Sequence, residues 1–298
     1  MLKRVVRDIE TLKIQGASNV ARAGLKALDH VVRRSMADSK KELVKELKAA
    51  SKKLVNARET EPMLRNAVRY IFWKVADISV DNYKAKTREI INGLYGTVND
   101  AKKKVFEIGA NVIKDSDRVL THCHSSSVMG IIKAAKPREV ICTESRPKYQ
   151  GRLTAKELVK KGIKTTMIVD SSVANHVRSV DAVLIGCDAI TPNKVINKIG
   201  SYGISLLCEK YDVPLYVCST SYKFDPESII GKGVVVEQRS PKEVWRFPPK
   251  GLKILNPAFD FVDYDNIYSF INELGLFSPD SLFITLKDSY EWMFEKVR

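Results

Sequence analysis

The sequence predicts an α/β protein, with an N-terminal helical domain followed by a domain built on a parallel sheet. Between Arg118 and Thr220, five runs rich in β-branched or other apolar residues alternate with helical stretches, which is typical of βαβ units. Before them, apolar residues recur at spacings of three and four, the pattern of amphipathic helices. Polar residues follow the apolar runs directly, so we expect a functional site at one edge of the sheet.

The helical periodicity covers about the first 113 residues and predicts four to six helices. Its segments are Val5 to Leu12, Val20 to Leu28, Leu43 to Leu54, Leu64 to Val75 and Ile90 to Ile113. Pro62 lies near the start of one of them, where its missing N–H costs little. The polar run from Lys114 to Asp117 ends the pattern. We therefore predict domains 1–114 and 115–298.

The predicted strands have the sequences RVLTH, EVICTES, TTMIVDSS, DAVLIGCD and LYVCST. The stretches TAKELVKKG and NKIGSYGISLLCEK between them are predicted to be helical. Past Thr220 the pattern is less regular, and we expect FPPKGLKILNPAFDFVDYDNI to be loop-rich and to pack against the sheet's binding edge or a partner subunit. Aromatic residues crowd this last fifth, which favours either an interface between subunits or packing within one chain; they are Phe247, Phe259, Phe261, Tyr264, Tyr268, Phe270 and Phe277.

Composition predicts a soluble, intracellular protein. A chain of 298 residues with 44% apolar content is expected to bury a core without disulfides or structural metals. It contains no apolar run of membrane-spanning length. Its five cysteines lack CxxC spacing, so we expect reduced thiols. Residues 1–110 hold 24 Lys and Arg against 13 Asp and Glu, which favours an anionic partner or a solvated helical surface.

The carboxyl ends of the predicted strands carry the residues with chemistry to offer. They are Cys123 and His124, Glu144 and Arg146, Asp170 and Ser171, and Asp188. Cys123 precedes a predicted helix that starts near Ser125 to Ser127, where a thiolate is favoured; the alternative is a buried structural cysteine. His122 and His124 lack a suitably spaced third ligand, so we predict no metal.

Three positions, Asp188, Arg146 and Gly16, allow two interpretations each. Asp188 is either a cap or an acid whose apolar surroundings raise its pKa. Arg146 either grips a phosphate or forms a surface ion pair. Gly16 either opens an anion-binding helix or simply caps it. Asn197 and Lys198 are predicted at a helix start, where free N–H groups attract anions. No GxGxxG or GxxxxGK[ST] motif is present, which disfavours nucleotide phosphate loops.

Six motifs, THCHS, TESRPKYQG, GCDAIT, INKIGS, SYKF and NPAFD, resemble in this order a known superfamily. It joins ribose-1,5-bisphosphate isomerase, 5-methylthioribose-1-phosphate isomerase and the alpha, beta and delta subunits of translation initiation factor 2B. The resemblance covers nearly the whole chain and is strongest to archaeal members. It implies a Rossmann-like C-terminal domain, homodimers that can build hexamers, and a cytoplasmic location.

The resemblance also implies a site. Cys123 and Asp188 match the residues that the isomerases use for catalysis, and the initiation-factor subunits generally lack that cysteine. The substrate contacts it implies are Gly16, Ala17, Arg58, Arg146, Gln150, Asn197 and Lys198. Two positions depart from the isomerase pattern: Gln15 stands in place of an arginine, and Glu59 in place of a proline.

We therefore predict an aldose–ketose isomerase that converts ribose 1,5-bisphosphate to ribulose 1,5-bisphosphate, with no metal and no redox cofactor. In this scheme Asp188 is the general acid that opens the ring, and Cys123 moves a proton between adjacent carbons; a hydride shift is also compatible. The alternative is a non-catalytic subunit similar to those of initiation factor 2B, which binds a partner protein or a nucleotide or sugar phosphate. Gln15, Glu59 and the basic helices favour that alternative.

Overall fold

The computed structural model describes residues 1–58, 60–79, 81–231 and 236–295. The chain divides into two compact units. The helical unit comprises Met1–Asp100, Tyr222–Pro226 and the chain from Leu286 onward. The sheet unit comprises Ala101–Ser221 and Glu227–Thr285. The domain boundary after residue 114 stays a prediction.

Five helices precede the first strand within the described residues, in agreement with the predicted four to six. They are α1 (Leu2–Glu10), α2 (Ala17–Arg34), α3 (Lys40–Asn56), α4 (Pro62–Ala76) and α5 (Tyr83–Val112). Ser39 caps α3 by accepting the Glu42 N–H, and Pro62 occupies the first position of α4. The apolar positions of the periodic pattern before residue 101 form the core of the helical unit; Leu28, Leu43, Leu47, Leu54, Leu64 and Ile71 are fully buried. Val105 and Ile113 belong instead to the core of the sheet unit.

A seven-stranded sheet forms the centre of the sheet unit. Its strands are β1 (Arg118–Thr121), β2 (Glu139–Thr143), β3 (Thr165–Ile168), β4 (Ala182–Ile185), β7 (Leu215–Cys218), β9 (Ser269–Asn272) and β10 (Gly275–Phe277). They lie in the order β10-β9-β7-β4-β1-β2-β3, and only β10 is antiparallel to its neighbour. The five predicted strands are five consecutive members of this sheet, so the predicted α/β class is confirmed.

A second, antiparallel sheet of three strands was not predicted. It consists of β5 (Ala189–Ile190), β6 (Lys194–Lys198) and β8 (Phe259–Asp263). The prediction that Asn197 and Lys198 open a helix is wrong, because both end β6 and pair with Asp260 and Phe259 of β8. β8, β9 and β10 also lie in the region predicted to be irregular. The described residues of that region form no strand before Phe259, apart from one isolated bridge.

The remaining helices are α6 (Ser126–Ala135), α7 (Gln150–Lys160), α8 (Val173–His176), α9 (Ser201–Lys210), α10 (Pro279–Ser289) and α11 (Glu291–Phe294). Apolar residues of α6 and α7 pack on the sheet in one buried cluster, which includes Val119, Ile131, Val140, Leu158 and Leu184. This packing covers the sheet and leaves the loops at its carboxyl edge to carry the polar groups. Among the described residues, no helix combines the length and the apolar character needed to cross a bilayer.

Candidate active site

The site lies where the chain reverses its direction across the sheet. From β1 the chain moves to β2 and then β3 on one side, whereas β4 and β7 lie on the other side. The crevice beyond the carboxyl ends of two strands at such a switch point is the usual ligand site of an open α/β sheet. Cys123 follows β1 and Asp188 follows β4, so this topology brings the two residues to the same edge.

Cys123 has a left-handed backbone conformation, with φ of 66°. Few residues other than glycine adopt this conformation, so the surrounding structure must hold it. Its N–H donates to Ser145 Oγ at 2.8 Å, and its carbonyl accepts from Thr154 Oγ1 at 2.8 Å. Both backbone polar groups of Cys123 are therefore fixed by side chains from other segments.

Burial raises the pKa of the Cys123 thiol to about 11. The Lys198 ammonium and the N–H of His124 favour the thiolate, whereas the charges of Asp188 and Asp170 oppose it. The expectation of a thiolate favoured by the following helix is therefore wrong for the free protein. Removal from water outweighs the nearby positive charge, so the group is a neutral thiol near pH 7.

Asp188 and Lys198 are held beside this thiol by the small second sheet. The Asp188 N–H donates to the carbonyl of Ile196 in β6 at 2.7 Å. Lys198, the last residue of β6, is buried and acts electrostatically on both Cys123 and His122. The neighbouring Asn197 is also buried, and its Nδ2 donates to Ser201 Oγ at 2.8 Å. The second sheet thus supplies one cation and one amide to the switch point.

Asp170 organises the loop after β2. Its two carboxylate oxygens accept the backbone N–H groups of Ser145 and Arg146 at 2.7 and 2.6 Å. The Arg146 guanidinium donates to the Tyr149 hydroxyl and to the Val244 carbonyl at 3.0 Å, both neutral acceptors. The guanidinium of Arg146 is therefore not paired with the Asp170 carboxylate, although that carboxylate fixes the Arg146 backbone.

The first turn of α7 adds Gln150, whose Oε1 is buried and has no hydrogen-bond partner in the described part of the chain. A buried acceptor without a donor is uncommon in a folded protein, because its desolvation is uncompensated. A hydroxyl group of a bound molecule would satisfy it. Gln150 thus has an observable feature that fits the role implied by the resemblance.

Both ring nitrogens of His122 are already engaged. Its Nε2 lies 2.8 Å from the carbonyl oxygen of Ile199, and its Nδ1 lies 2.6 Å from Thr143 Oγ1. Because a carbonyl can only accept, Nε2 carries the proton and Nδ1 accepts from the hydroxyl. Burial lowers the pKa of His122, which keeps the ring neutral. His122 is therefore part of a hydrogen-bond network.

The amino terminus of α9 is already filled by a protein carboxylate. Asp260 accepts from the N–H groups of Gly200 and Tyr202 at 2.6 and 3.1 Å. An anion-binding role for these amides was predicted, but the protein provides its own anion there. An anion near Lys198 would therefore be met mainly by side chains.

The other predicted contacts belong to the helical unit. Gly16, with φ of 81°, is the N-cap of α2, and Ala17 is the first residue of that helix. Gln15 donates its side-chain amide to the Leu12 carbonyl. Arg58 forms an ion pair with the buried Glu61, at 3.0 Å between Nε and Oε1. Glu59 lies outside the described residues, and the roles of Gly16, Ala17 and Arg58 stay predictions.

Sequence reasoning missed Ser145, Thr154 and Asp260 as parts of the site. Ser145 and Asp260 lie inside the TESRPKYQG and NPAFD motifs, so the motifs themselves were a usable signal. Their partners lie 22 to 60 residues away along the chain. Only the folded arrangement reveals which backbone groups they hold.

A thiol, a carboxylate and a buried ammonium at the switch point of a parallel sheet define an α/β protein equipped to bind a small anionic molecule. A model of the initiation factor 2 subunit family matches residues 13–279. The chain belongs to this family, which includes both isomerases and initiation-factor subunits.

Several relatives align over almost the full chain. The ribose 1,5-bisphosphate isomerase of Pyrococcus furiosus is 37% identical, over 98% of this chain and 94% of that protein. The enzyme of the same name from Methanocaldococcus jannaschii is 35% identical, over 98% of this chain and 96% of that protein. The methylthioribose-1-phosphate isomerase of Caldanaerobacter subterraneus is 32% identical, over 91% and 86%.

A solved structure described as translation initiation factor eIF-2B from Pyrococcus horikoshii has a similar fold, with a TM-score of 0.80 and 28% identity. The superposition covers 93% of this chain and 97% of the Pyrococcus horikoshii chain. The 5-methylthioribose 1-phosphate isomerase of the same organism has a TM-score of 0.78 at 24% identity, covering 97% and 88%, and supports the fold alone.

Proposed function

We propose that this protein is an aldose–ketose isomerase that converts ribose 1,5-bisphosphate to ribulose 1,5-bisphosphate. The observation that carries the proposal is the meeting of Cys123, Asp188 and Lys198 at the switch point of the sheet. Four archaeal proteins named ribose 1,5-bisphosphate isomerase, at 35 to 37% identity over nearly the whole chain, support the choice of substrate.

Charge and hydrogen bonding divide the substrate between two groups of residues. Lys198 and Arg146 supply positive charge for phosphate. Neither forms an ion pair with Asp170, whose carboxylate accepts hydrogen bonds from backbone N–H groups. The unsatisfied Gln150 Oε1 and the Asn197 amide suit sugar hydroxyls. Gly16, Ala17 and Arg58 are proposed as further substrate contacts because the motif resemblance implies them.

Because the Cys123 thiol is neutral in the free protein, it must lose its proton before it can act as a base. Isomerisation needs an acid for the ring oxygen and a base for the proton on C2. If Cys123 passes its proton to the Asp188 carboxylate when the substrate binds, one transfer creates both groups. Lys198 stabilises the thiolate that remains, and the total charge of the pair does not change.

The proton then returns through the substrate. Asp188 protonates the ring oxygen as its bond to C1 breaks, and the Cys123 thiolate removes the proton from C2 to give an enol phosphate. The thiol next protonates C1 while Asp188 takes the proton from the C2 hydroxyl, which yields the ketone. Cys123 then ends as the thiolate and Asp188 as the acid, the states created when the substrate bound. Return of the proton from Asp188 to Cys123 restores the free protein, and no external acid or oxidant is consumed.

A hydride shift from C2 to C1 would use the same two residues without placing the migrating hydrogen on sulfur. The two routes differ in isotope content. In deuterated water, proton transfer through Cys123 puts solvent deuterium at C1 of the product, whereas a hydride shift leaves C1 free of it. Mass spectrometry of the ketose distinguishes them.

Turnover of a defined substrate tests the proposal. Purified protein is incubated in parallel with ribose 1,5-bisphosphate and 5-methylthioribose 1-phosphate, and the ketose product is followed by NMR. We expect conversion of the bisphosphate. No ketose from either sugar would overturn the isomerase proposal.

A second candidate is a non-catalytic subunit that binds an initiation-factor partner, because the 28% identical structural neighbour is described as an initiation factor. This candidate predicts that the protein binds its partner through the basic helices and that Cys123 is dispensable. Binding that weakens with added salt and survives Cys123→Ser would favour it.

We also propose a cytoplasmic homodimer or hexamer. Of the crowded aromatic residues, Phe259 and Phe270 are buried within the chain, whereas Phe247 and Tyr268 are 78% and 66% exposed. Exposed rings of this size favour an interface between subunits. Light scattering is expected to give a dimer or larger at micromolar concentration, and a monomer would refute the assembly.

A further inference from the structure

We propose that Ser145 and Thr154 are positioning residues that hold Cys123 in its left-handed conformation and so present its thiol to the substrate. This inference rests on the proposed function, because it assigns Cys123 a reacting thiol. It concerns two hydroxyl groups that do not themselves take part in proton transfer to the sugar.

The two hydroxyls act on opposite sides of one residue. Ser145 Oγ accepts the Cys123 N–H, and Thr154 Oγ1 donates to the Cys123 carbonyl, each at 2.8 Å. Both side chains are buried, Ser145 after β2 and Thr154 within α7. A non-glycine residue released from such contacts relaxes to an extended or right-handed backbone. That relaxation would turn the Cβ–Sγ bond away from Asp188 and Lys198.

The proton positions around Ser145 are fixed by their neighbours. His122 Nδ1 must accept, so Thr143 donates to it, and Ser145 in turn donates to Thr143 Oγ1 at 3.1 Å. Ser145 Oγ thereby keeps its lone pair for the Cys123 N–H. The chain ends at the Ile199 carbonyl, directly after Lys198, so it connects the thiol with the cation that acts on it.

Thr154 has equally little freedom. Its single proton goes to the Cys123 carbonyl, so the neighbouring His124 Nδ1, 2.9 Å away, must donate to it. Ser145 is itself left-handed, with φ of 60°, and Asp170 fixes its N–H. Every group that holds the thiol is thus held in turn, as a preorganised site requires.

Removal of each hydroxyl tests the inference. We compare Ser145→Ala and Thr154→Val with Thr154→Ser, which keeps the hydroxyl. The control is Ser205→Ala, which deletes another buried hydroxyl of the sheet unit, one that donates to the Tyr202 carbonyl. Two quantities are measured: kcat and KM for ribose 1,5-bisphosphate, and the rate at which iodoacetamide labels Cys123, resolved by peptide mass spectrometry.

We expect kcat to fall about 10-fold to 100-fold in Ser145→Ala and Thr154→Val, with KM within about twofold. Labelling of Cys123 at about pH 8 should rise about tenfold, because a mobile thiol is better hydrated and its pKa moves towards the ordinary value. Thr154→Ser should restore both quantities. A kcat and a labelling rate no different from those of Ser205→Ala would overturn the inference.

The labelling assay separates this inference from the proposed function, because it needs no substrate. If the wild-type protein leaves the bisphosphate unchanged but the labelling rates change as expected, the isomerase proposal fails and the positioning of the thiol stands. Circular dichroism verifies folding of each variant. If Ser145→Ala does not fold, Thr154→Val against Thr154→Ser decides the question alone.

Discussion

The carboxyl edge of the sheet, called the rim below, and the helical unit position their candidate substrate contacts in different ways. At the rim, Cys123 follows β1 and Arg146 follows β2, two strands that are adjacent and parallel in the sheet. Asp170 binds the backbone of the loop after β2. In the helical unit, Arg58 follows the end of α3 and is paired with the buried Glu61. The Arg58 guanidinium thus has a carboxylate partner, whereas the Arg146 guanidinium donates to neutral acceptors. Topology is therefore a stronger guide to function at the rim than residue type is in the helices.

The largest expected effect is at the rim. Cys123→Ser and Asp188→Asn should each lower kcat about 10²-fold to 10⁴-fold, because a hydroxyl or an amide cannot exchange a proton at neutral pH as the native groups do. Sugar-phosphate affinity, measured by calorimetry, should change little. Cys208→Ser, at a buried thiol of α9, is the matched control and should keep its turnover per folded molecule. Wild-type turnover in both rim variants would contradict the catalytic roles.

A second test sharpens the comparison in the helical unit. Arg58→Met should lower the free energy of unfolding by about 2 kcal/mol, because it removes the guanidinium that forms an ion pair with the buried Glu61 carboxylate. Urea denaturation measures this. The double variant Arg58→Met, Glu61→Met should recover part of the lost stability, because no buried carboxylate then lacks the Arg58 guanidinium.

The kinetics of the same variants decide what Arg58 contributes. If Arg58 also binds phosphate, both the single and the double variant will show a raised KM. A KM that returns to the wild-type value in the double variant would mean that Arg58 is structural and is not a substrate contact.

The smallest expected effect concerns the amino end of β2, opposite the site. Hydrogen bonding from Thr166, together with Arg118 and Lys164, holds the pKa of Glu139 below its usual value. A carboxyl whose pKa is lowered by folding stabilises the folded protein at pH values above its pKa in the unfolded chain, about 4.3. This contribution is lost as the pH falls through the pKa of the folded state.

Glu139→Gln should therefore lower the free energy of unfolding at neutral pH by no more than about 1 kcal/mol, as expected for ion pairs with partly exposed partners, and flatten the acid side of the stability curve. Turnover should be unchanged, since the residue lies at the other end of the strand from Thr143. Urea denaturation at several pH values tests this, with the exposed Glu209→Gln as control. An acid limb as steep as that of the wild type would exclude Glu139 as its source.

The strands were predictable because their apolar runs are short, β-branched and bounded by polar residues. β6 was not, because Val195 and Ile196 adjoin a sequence that continues into α9, and its pairing partner β8 lies more than 60 residues away. The two residues of β5 are too few to form any pattern. Strands made by distant pairing leave little local signal.

At the site, the residues that converge were predictable from their positions after strands, but their electrostatics were not. The serines and histidines that flank Cys123 suggested a polar setting for its thiol. In the structure His122 and His124 are hydrogen-bonded to threonine hydroxyls, and Ser125 caps α6. The thiol itself is desolvated, which raises its pKa to about 11. Local sequence reports which groups are near but does not report how much water remains.

Gly151, the second residue of α7, lets that helix start directly against the end of β2. A Cβ atom there would lie 1.7 Å from the carbonyl oxygen of Thr143, an overlap that no rotamer relieves because both atoms belong to the backbone or its first branch. In a saturation library this codon should accept glycine alone. Redesign of the substrate range therefore has freedom at the side chains around it but none in the spacing between β2 and α7, and a loop graft must carry both segments as one piece.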